Sequence, residues 1–300
     1  MRKKTRTVRS RRKQDSEGGF VAKVIKIVTI VGAIAAILAL GYMAYQDYGE
    51  RESLKSQIDS SLRKADSLQK AGSFEEAIKE YGGILKIVSS KKFSDEYART
   101  QNNLGCAYTI LAEVRDKETN LEKAIKAYQE ALKIRTIERY PLDYAMTQNN
   151  LGLAYMGLAK VRDKETNLEK AIYTFQEALK ISTIESYPID YAKTQNNLGL
   201  AYGDLAEVRD KETNLEKAIK AYQEALNTRT VERYPIDYAK TQNNLGLAYG
   251  DLAEVRDKET NLEKAIKAYQ EALKIHTEEK YQIQYQIVKS NLEEAQSQLQ

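Results

Sequence analysis

The chain has 300 residues, of which 30% are charged and 42% hydrophobic, with one cysteine, one histidine and three prolines. One cysteine excludes an intrachain disulfide and a thiolate zinc site, and one histidine excludes a Ser-His-Asp, Cys-His or multi-histidine metal constellation. The net charge of +4 is uneven: residues 1–26 hold ten Lys/Arg against Asp15 and Glu17, so the rest of the chain carries −4 and offers no overall field to nucleic acid.

Residues 1–22 lack an apolar period and read as a basic, disordered tail. Residues 23–45 contain "IVTIVGAIAAILALGYMAY" (27–45), nineteen residues without a charge, about the length a helix needs to cross a ~30 Å hydrocarbon core. Val24 and Ile25 extend the run, Lys23 and Lys26 are placed to snorkel, and Tyr42 and Tyr45 fall where an interfacial aromatic belt belongs. An uncleaved transmembrane helix fits better than a cleavable leader, because the apolar run exceeds the usual ~7–15 residues. Ten basic residues precede the run and four (Arg51, Lys55, Arg63, Lys64) closely follow it. That bias predicts a single-pass plasma-membrane protein with its amino terminus cytoplasmic and its remaining residues extracytoplasmic. The basic tail suits anionic lipid or nucleic acid as an alternative role, although nucleic acid is not the expected partner.

Beyond the run the sequence repeats. "TQNN" recurs at Thr100, Thr147, Thr194 and Thr241, a period of 47 residues, and 194–226 and 241–273 are identical. A fixed period of this size marks an array rather than separate globules. Each unit holds two helical patterns. In the second, Leu121, Ala124, Ile125, Tyr128, Ala131 and Leu132 form one apolar stripe. In the first, Ile189, Ala192, Leu198, Ala201, Tyr202, Leu205 and Val208 do the same. Pro141, Pro188 and Pro235 share one position, the first turn of the first helix, where a missing N–H is harmless.

The dodecamer "VRDKETNLEKAI" (114–125) returns unchanged at 161–172, 208–219 and 255–266. It reads as a solvated turn followed by a capping box, with Thr119 capping the second helix and Glu122 reaching back. Its charged copies make a ridge along one edge that a partner can use.

"LGLAY" at 198–202, followed by Ala218, Tyr222 and Ala225, resembles the tetratricopeptide repeat: Leu-Gly-x-x-Tyr on a first helix, then Ala-x-x-x-aromatic-x-x-Ala on a second. The unit is thirteen residues longer than the usual one of about 34 residues. The "TQNNL" helix with its preceding proline is similar to the long repeats of kinesin light chains. The resemblance implies an all-α, right-handed α-α superhelix, preceded here by the one transmembrane helix. It divides the chain into a divergent first repeat at 46–93, full repeats at 94–139, 140–186, 187–233 and 234–279, and a capping helix at 280–300.

The resemblance also implies a concave groove lined by the first helices. Its candidates are Asn102, Asn149, Asn196 and Asn243, with Arg99, Met146, Lys193 and Lys240 one turn earlier. Cys106, Leu153, Leu200 and Leu247 follow one turn later, then Asp204 and Asp251. An amide ladder suits an extended peptide, because Asn both donates and accepts. The second asparagines, Asn103, Asn150, Asn197 and Asn244, are expected to satisfy buried backbone groups between neighbouring repeats instead. His276 is expected at the solvated surface. No catalytic role, cofactor, metal or small-molecule substrate is expected. The reading is a membrane-anchored scaffold for a peptide segment of another protein, with an ancillary chaperone beside a translocation channel as the alternative.

Overall fold

The structure is a computed structural model. It describes the backbone of residues 2–300 and the side chains of residue 26, residue 29 and residues 32–300. The chain forms two compact units, Met1–Asp59 and Ser60–Gln300. The expected tail at 1–22 lies outside the residues with described side chains, as do positions 23–25, 27, 28, 30 and 31 of the expected span. Among the described residues no helix is long and apolar enough to cross a membrane. The expectation at 23–45 is therefore unsupported by them, since the described part of the run soon meets Gln46 and Asp47. Ile34, Ile37, Leu38, Leu40 and Met43 are all more than half exposed.

Helix α1 spans Arg2–Lys70, and ten helices follow: α2 (Phe74–Ile84), α3 (Ser94–Leu111), α4 (Lys117–Leu132), α5 (Pro141–Ala159), α6 (Lys164–Leu179), α7 (Pro188–Ala206), α8 (Lys211–Leu226), α9 (Pro235–Ala253), α10 (Lys258–Leu273) and α11 (Gln282–Leu299). The described residues contain no strand. In the second unit each helix packs on its neighbour in sequence, and α3, α5, α7, α9 and α11 also touch in succession. This is an all-helical repeat solenoid, with the odd-numbered helices forming one layer and the even-numbered another.

The pairing within a repeat follows from side-chain size. A methyl group built on Gly199 would lie 2.5 Å from Cε1 of Tyr222, and the same holds for Gly152 over Phe175 and Gly246 over Tyr269. No Cβ fits there, so glycine lets the aromatic ring of the second helix lie flat against the backbone of the first. Tyr128, Phe175, Tyr222 and Tyr269 are at most 3% exposed, and the alanines around them are buried. All three prolines stand at the first turn of α5, α7 and α9.

The joint inside each repeat differs from its expected form. Helix α4 begins at Lys117, before Thr119, and its N-cap is Asp116 in the left-handed conformation (φ 46°) without a side-chain cap. Asp163, Asp210 and Asp257 repeat that conformation, which a short polar side chain tolerates better than most. The joint is closed instead by the next residue after the threonine. Asn120, Asn167, Asn214 and Asn261 are buried and donate Nδ2 to the carbonyls of Arg115, Arg162, Arg209 and Arg256 at 2.8–2.9 Å. The proposed capping box is thus corrected: the threonines are exposed, and the adjacent asparagines hold the turn. The apolar stripe of the first helix is also shorter than expected, because Ile189 and Val208 are exposed.

Candidate functional site

The first helices bring the "NN" pairs of successive repeats side by side. Asn149 Oδ1 accepts from Thr194 Oγ1 at 3.4 Å and from Asn197 Nδ2 at 3.0 Å. Asn196 Oδ1 accepts from Thr241 Oγ1 at 3.2 Å and Asn244 Nδ2 at 3.4 Å. Asn102 accepts from Thr147, and Asn243 accepts from Asn291 of α11. An amide–hydroxyl ladder therefore ties each repeat to the next; the first asparagines accept in it, Asn197 and Asn244 donate to it, and Asn150 donates instead to Cys106 Sγ at 3.6 Å. The second asparagines thus bond side chains, where the sequence pattern predicts buried backbone groups. The first asparagines keep their Nδ2 groups in reserve at 149, 196 and 243, where the described residues supply no acceptor. Asn102 is the exception, since it donates to Asn103, which in turn donates to Asp66.

The other candidates divide by exposure. Arg99, Met146, Lys193, Lys240, Leu247 and Asp251 are exposed, while Cys106, Leu153, Leu200 and Asp204 are half-buried. Arg99 pairs with Asp66 at 3.0 Å and is not available as an isolated cation. Lys193, Asn196, Leu200 and Lys240 converge on one cavity of about 490 Å³ between α7, α9 and the segment joining α8 to α9. That segment supplies Thr228, Arg229 and Tyr234, which the sequence pattern did not mark. Leu247 and Asp251 line a separate, much smaller cleft with Glu254 and Glu294 beside α11. Burial pushes the carboxyls of Asp204 and Asp251 above the usual carboxylate range, and Glu254 beside Asp251 adds to it.

Arg229 shows why the cavity is polar. Burial lowers the pKa of its guanidinium, against the attraction of Asp237, and Nη1 donates to Thr241 Oγ1 at 2.8 Å. Arg135, two repeats earlier, makes the matching bond to Thr147 at 2.9 Å and adds an ion pair with Asp143 at 3.3 Å. His276 holds the same position in the last full repeat. It is 2% exposed with neither ring nitrogen hydrogen-bonded, so the expected surface histidine is a buried one packed edge-on to Tyr281. Its helix α11 offers Val288 where α5 and α9 offer Thr147 and Thr241, which removes the acceptor.

Two other surfaces are already occupied. The hydroxyls of Tyr97, Tyr144, Tyr191 and Tyr238 donate to Glu130, Glu177, Glu224 and Glu271 at 2.8–3.0 Å. The charged dodecamer forms an inter-repeat ladder. Arg209 bonds Glu165 at 2.7 Å and Glu169 at 2.6 Å, Arg256 repeats this with Glu212 and Glu216, and Arg162 does so with Glu118 and Glu122. Lys164 and Lys211 reach forward to Glu207 and Glu254 at 2.5–2.6 Å. Such exposed pairs contribute little each.

The tetratricopeptide repeat family profile matches residues 98–136, 192–231 and 239–278. No curated protein matches the chain. Among solved structures, BtubC (BKLC) from P. vanneervenii is 25% identical, covering 78% of this chain and 84% of its own, with a TM-score of 0.52. The MamA RS-1 ArsTM double mutant is 17% identical over 74% of this chain and 96% of its own, with a TM-score of 0.50. A thermophilic TPR protein of Thermus thermophilus, TTC0263, is 18% identical over 78% and 98%, with a TM-score of 0.49. Proteins built from this repeat serve typically as scaffolds for protein interaction, and the three matched stretches of this chain are tetratricopeptide repeats.

Proposed function

We propose that the chain is a non-enzymatic scaffold that holds an extended segment of another protein against α7 and α9. The observation that carries this reading is the convergence of Lys193, Asn196, Leu200 and Lys240 on one open cavity, with an unused amide donor on Asn196. An extended segment presents backbone carbonyls to such donors, and apolar side chains to Leu200 and Ile189. Residues 23–45 anchor the chain in a plasma membrane, with the basic tail cytoplasmic and the repeats extracytoplasmic. The exposed Ile34, Ile37, Leu38 and Leu40 support that part, since apolar side chains in a row seek lipid or protein cover.

The test selects binding segments from a peptide display library against the full chain, then measures them against Lys240→Glu with Leu247→Asp. Both positions are exposed on α9, so helicity is kept, whereas substituting Asn196 also breaks the stacking ladder. At least tenfold weaker binding is expected; unchanged binding, or no selected segment, overturns the groove. Protease accessibility in intact and permeabilised cells tests the topology, and repeats that are cleaved only when the cytoplasm is opened overturn it.

A further inference from the structure

The four joints that lead from a second helix to the next first helix carry Arg135, Ser182, Arg229 and His276 at matching positions. Eight and twelve residues further on, the following helix supplies a receiving pair: Asp143 and Thr147, Asp190 and Thr194, Asp237 and Thr241. Arg135 uses both members of its pair, and Arg229 donates to its threonine. At the last joint the pair is Gln284 and Val288, and the basic side chain is an imidazole, which can lose its charge. His276 is buried there, and among the described residues neither ring nitrogen has a hydrogen-bond partner. The neutral ring tolerates such a site; an imidazolium would be an uncompensated buried cation.

The charged groups around the ring offer a proton no relief. From α9 comes Lys240, which opposes a second positive charge. Helix α10 is followed by Lys274, which pairs with Glu271 at 2.5 Å, and Glu271 also receives the Tyr238 hydroxyl. On the joint itself Glu278, Glu279 and Lys280 are exposed; Glu278 accepts from Gln286 at 3.4 Å, and Lys280 lies over the Tyr281 ring. From the α11 side come Tyr281, edge-on to the imidazole, and the uncharged Gln284 and Val288, while Lys289 lies over the Tyr285 ring. Burial and Lys240 accordingly hold the imidazole pKa below its ordinary value. The carboxylates at the far end of α11 act in the opposite sense. Burial raises the Asp251 carboxyl, Glu254 and Glu294 add to it, and protonation there eases the contact with α11.

Helix α11 is also the first helix least held in place. Helices α3, α5, α7 and α9 pack on second helices both before and after them, whereas among the described residues α11 packs on α10 and α9 alone. It completely buries just Val288 and Ala295. The face beneath it is not at fault, since 241–273, which supplies most of that face, repeats 194–226, which supplies the same face under α9. The difference lies in the joint and in α11 itself.

We infer that His276 is an acid-sensitive latch, whose protonation releases α11 from α9 and α10 while the preceding repeats stay folded. The released form binds the proton first, so the cap is closed above the ordinary imidazole range. It is lost as pH falls through that range toward the depressed value. Release uncovers the side of the apolar cluster that Val288 and Ala295 share with Ala253, Leu262, Ala265 and Tyr269. A repeat array can open at one end in this way, because each unit contacts only its neighbours.

The experiment uses the full chain. His276 is its only histidine, so the Cε1–H resonance is unambiguous and should titrate below the ordinary value of about 6.5. Hydrogen exchange, expressed as protection relative to the unstructured chain at each pH, is followed from about pH 8 to about pH 5. Protection of the α11 amides should fall by about tenfold or more, while that of α5 to α8 stays within about twofold. His276→Leu and His276→Gln, neither of which titrates, should hold α11 protection within about twofold over the same range. Circular dichroism at the upper pH verifies the fold of each variant, and the wild-type titration and exchange need no variant. Titration at or above the ordinary value, equal loss of protection from α5 to α11, or the wild-type fall in a folded His276 variant overturns the latch.

Discussion

Two glycines on α7, one turn apart, make the packing argument testable by sign. In Gly199→Ala the new methyl would sit 2.5–2.9 Å from three ring carbons of Tyr222, a side chain only 3% exposed and closed in by its neighbours. In Gly203→Ala it would meet nothing within 4 Å. Both substitutions gain the same helix propensity, about 1 kcal/mol. Only the first adds an overlap, and forcing extra volume into a filled core costs about 1–3 kcal/mol. Gly203→Ala should therefore stabilise by up to about 1 kcal/mol, and Gly199→Ala should fall about 1–3 kcal/mol below it. Because repeat arrays unfold with reduced cooperativity, the assay is hydrogen exchange of the α7 and α8 amides alongside urea unfolding by circular dichroism. Equal stabilisation by the two substitutions would refute the claim that Gly199 is required by the Tyr222 ring.

The joint makes a second prediction. Asn214→Ala leaves the Arg209 carbonyl without its 2.8 Å donor and should destabilise α8 by about 1–3 kcal/mol, whereas Thr213→Ala, at an exposed threonine, should stay within about 0.5 kcal/mol. Urea unfolding checks the pair, and a larger loss from Thr213→Ala would restore the capping box. A third concerns acid. Burial, with Lys240 adding to it, depresses the His276 imidazole below its ordinary value. The unfolded chain then binds the proton first, so stability is complete above the ordinary imidazole range. It falls as pH drops through that range toward the depressed value. His276→Leu should remove this part of the acid sensitivity, read as thermal midpoints across pH. A variant with the wild-type pH slope would show that His276 is not its source.

Much of the architecture was legible in the sequence because its causes are local or periodic. The 47-residue repeat, the second-helix stripe from Leu121 to Ala131 and the proline starts each depend on residues within a turn or two of one another. The Gly and aromatic positions of the repeat pattern are the ones that meet across the helix pair, and the aromatics there are buried. Partner choice is a different matter. Asn149 takes its partners from residues 45 and 48 positions away, and Arg209 takes Glu165 and Glu169 from the preceding repeat. No helical period specifies those pairings; the rise and rotation between repeats do. The same geometry buries His276, leaves Thr228 without a partner and puts Arg229 beside Lys193 and Lys240. The amino-acid order thus determined that helices pair and stack. Only the tertiary structure decided which polar groups the stacking consumes and which it leaves facing an open cavity, because satisfaction of a polar group depends on atoms brought close by folding rather than by the chain.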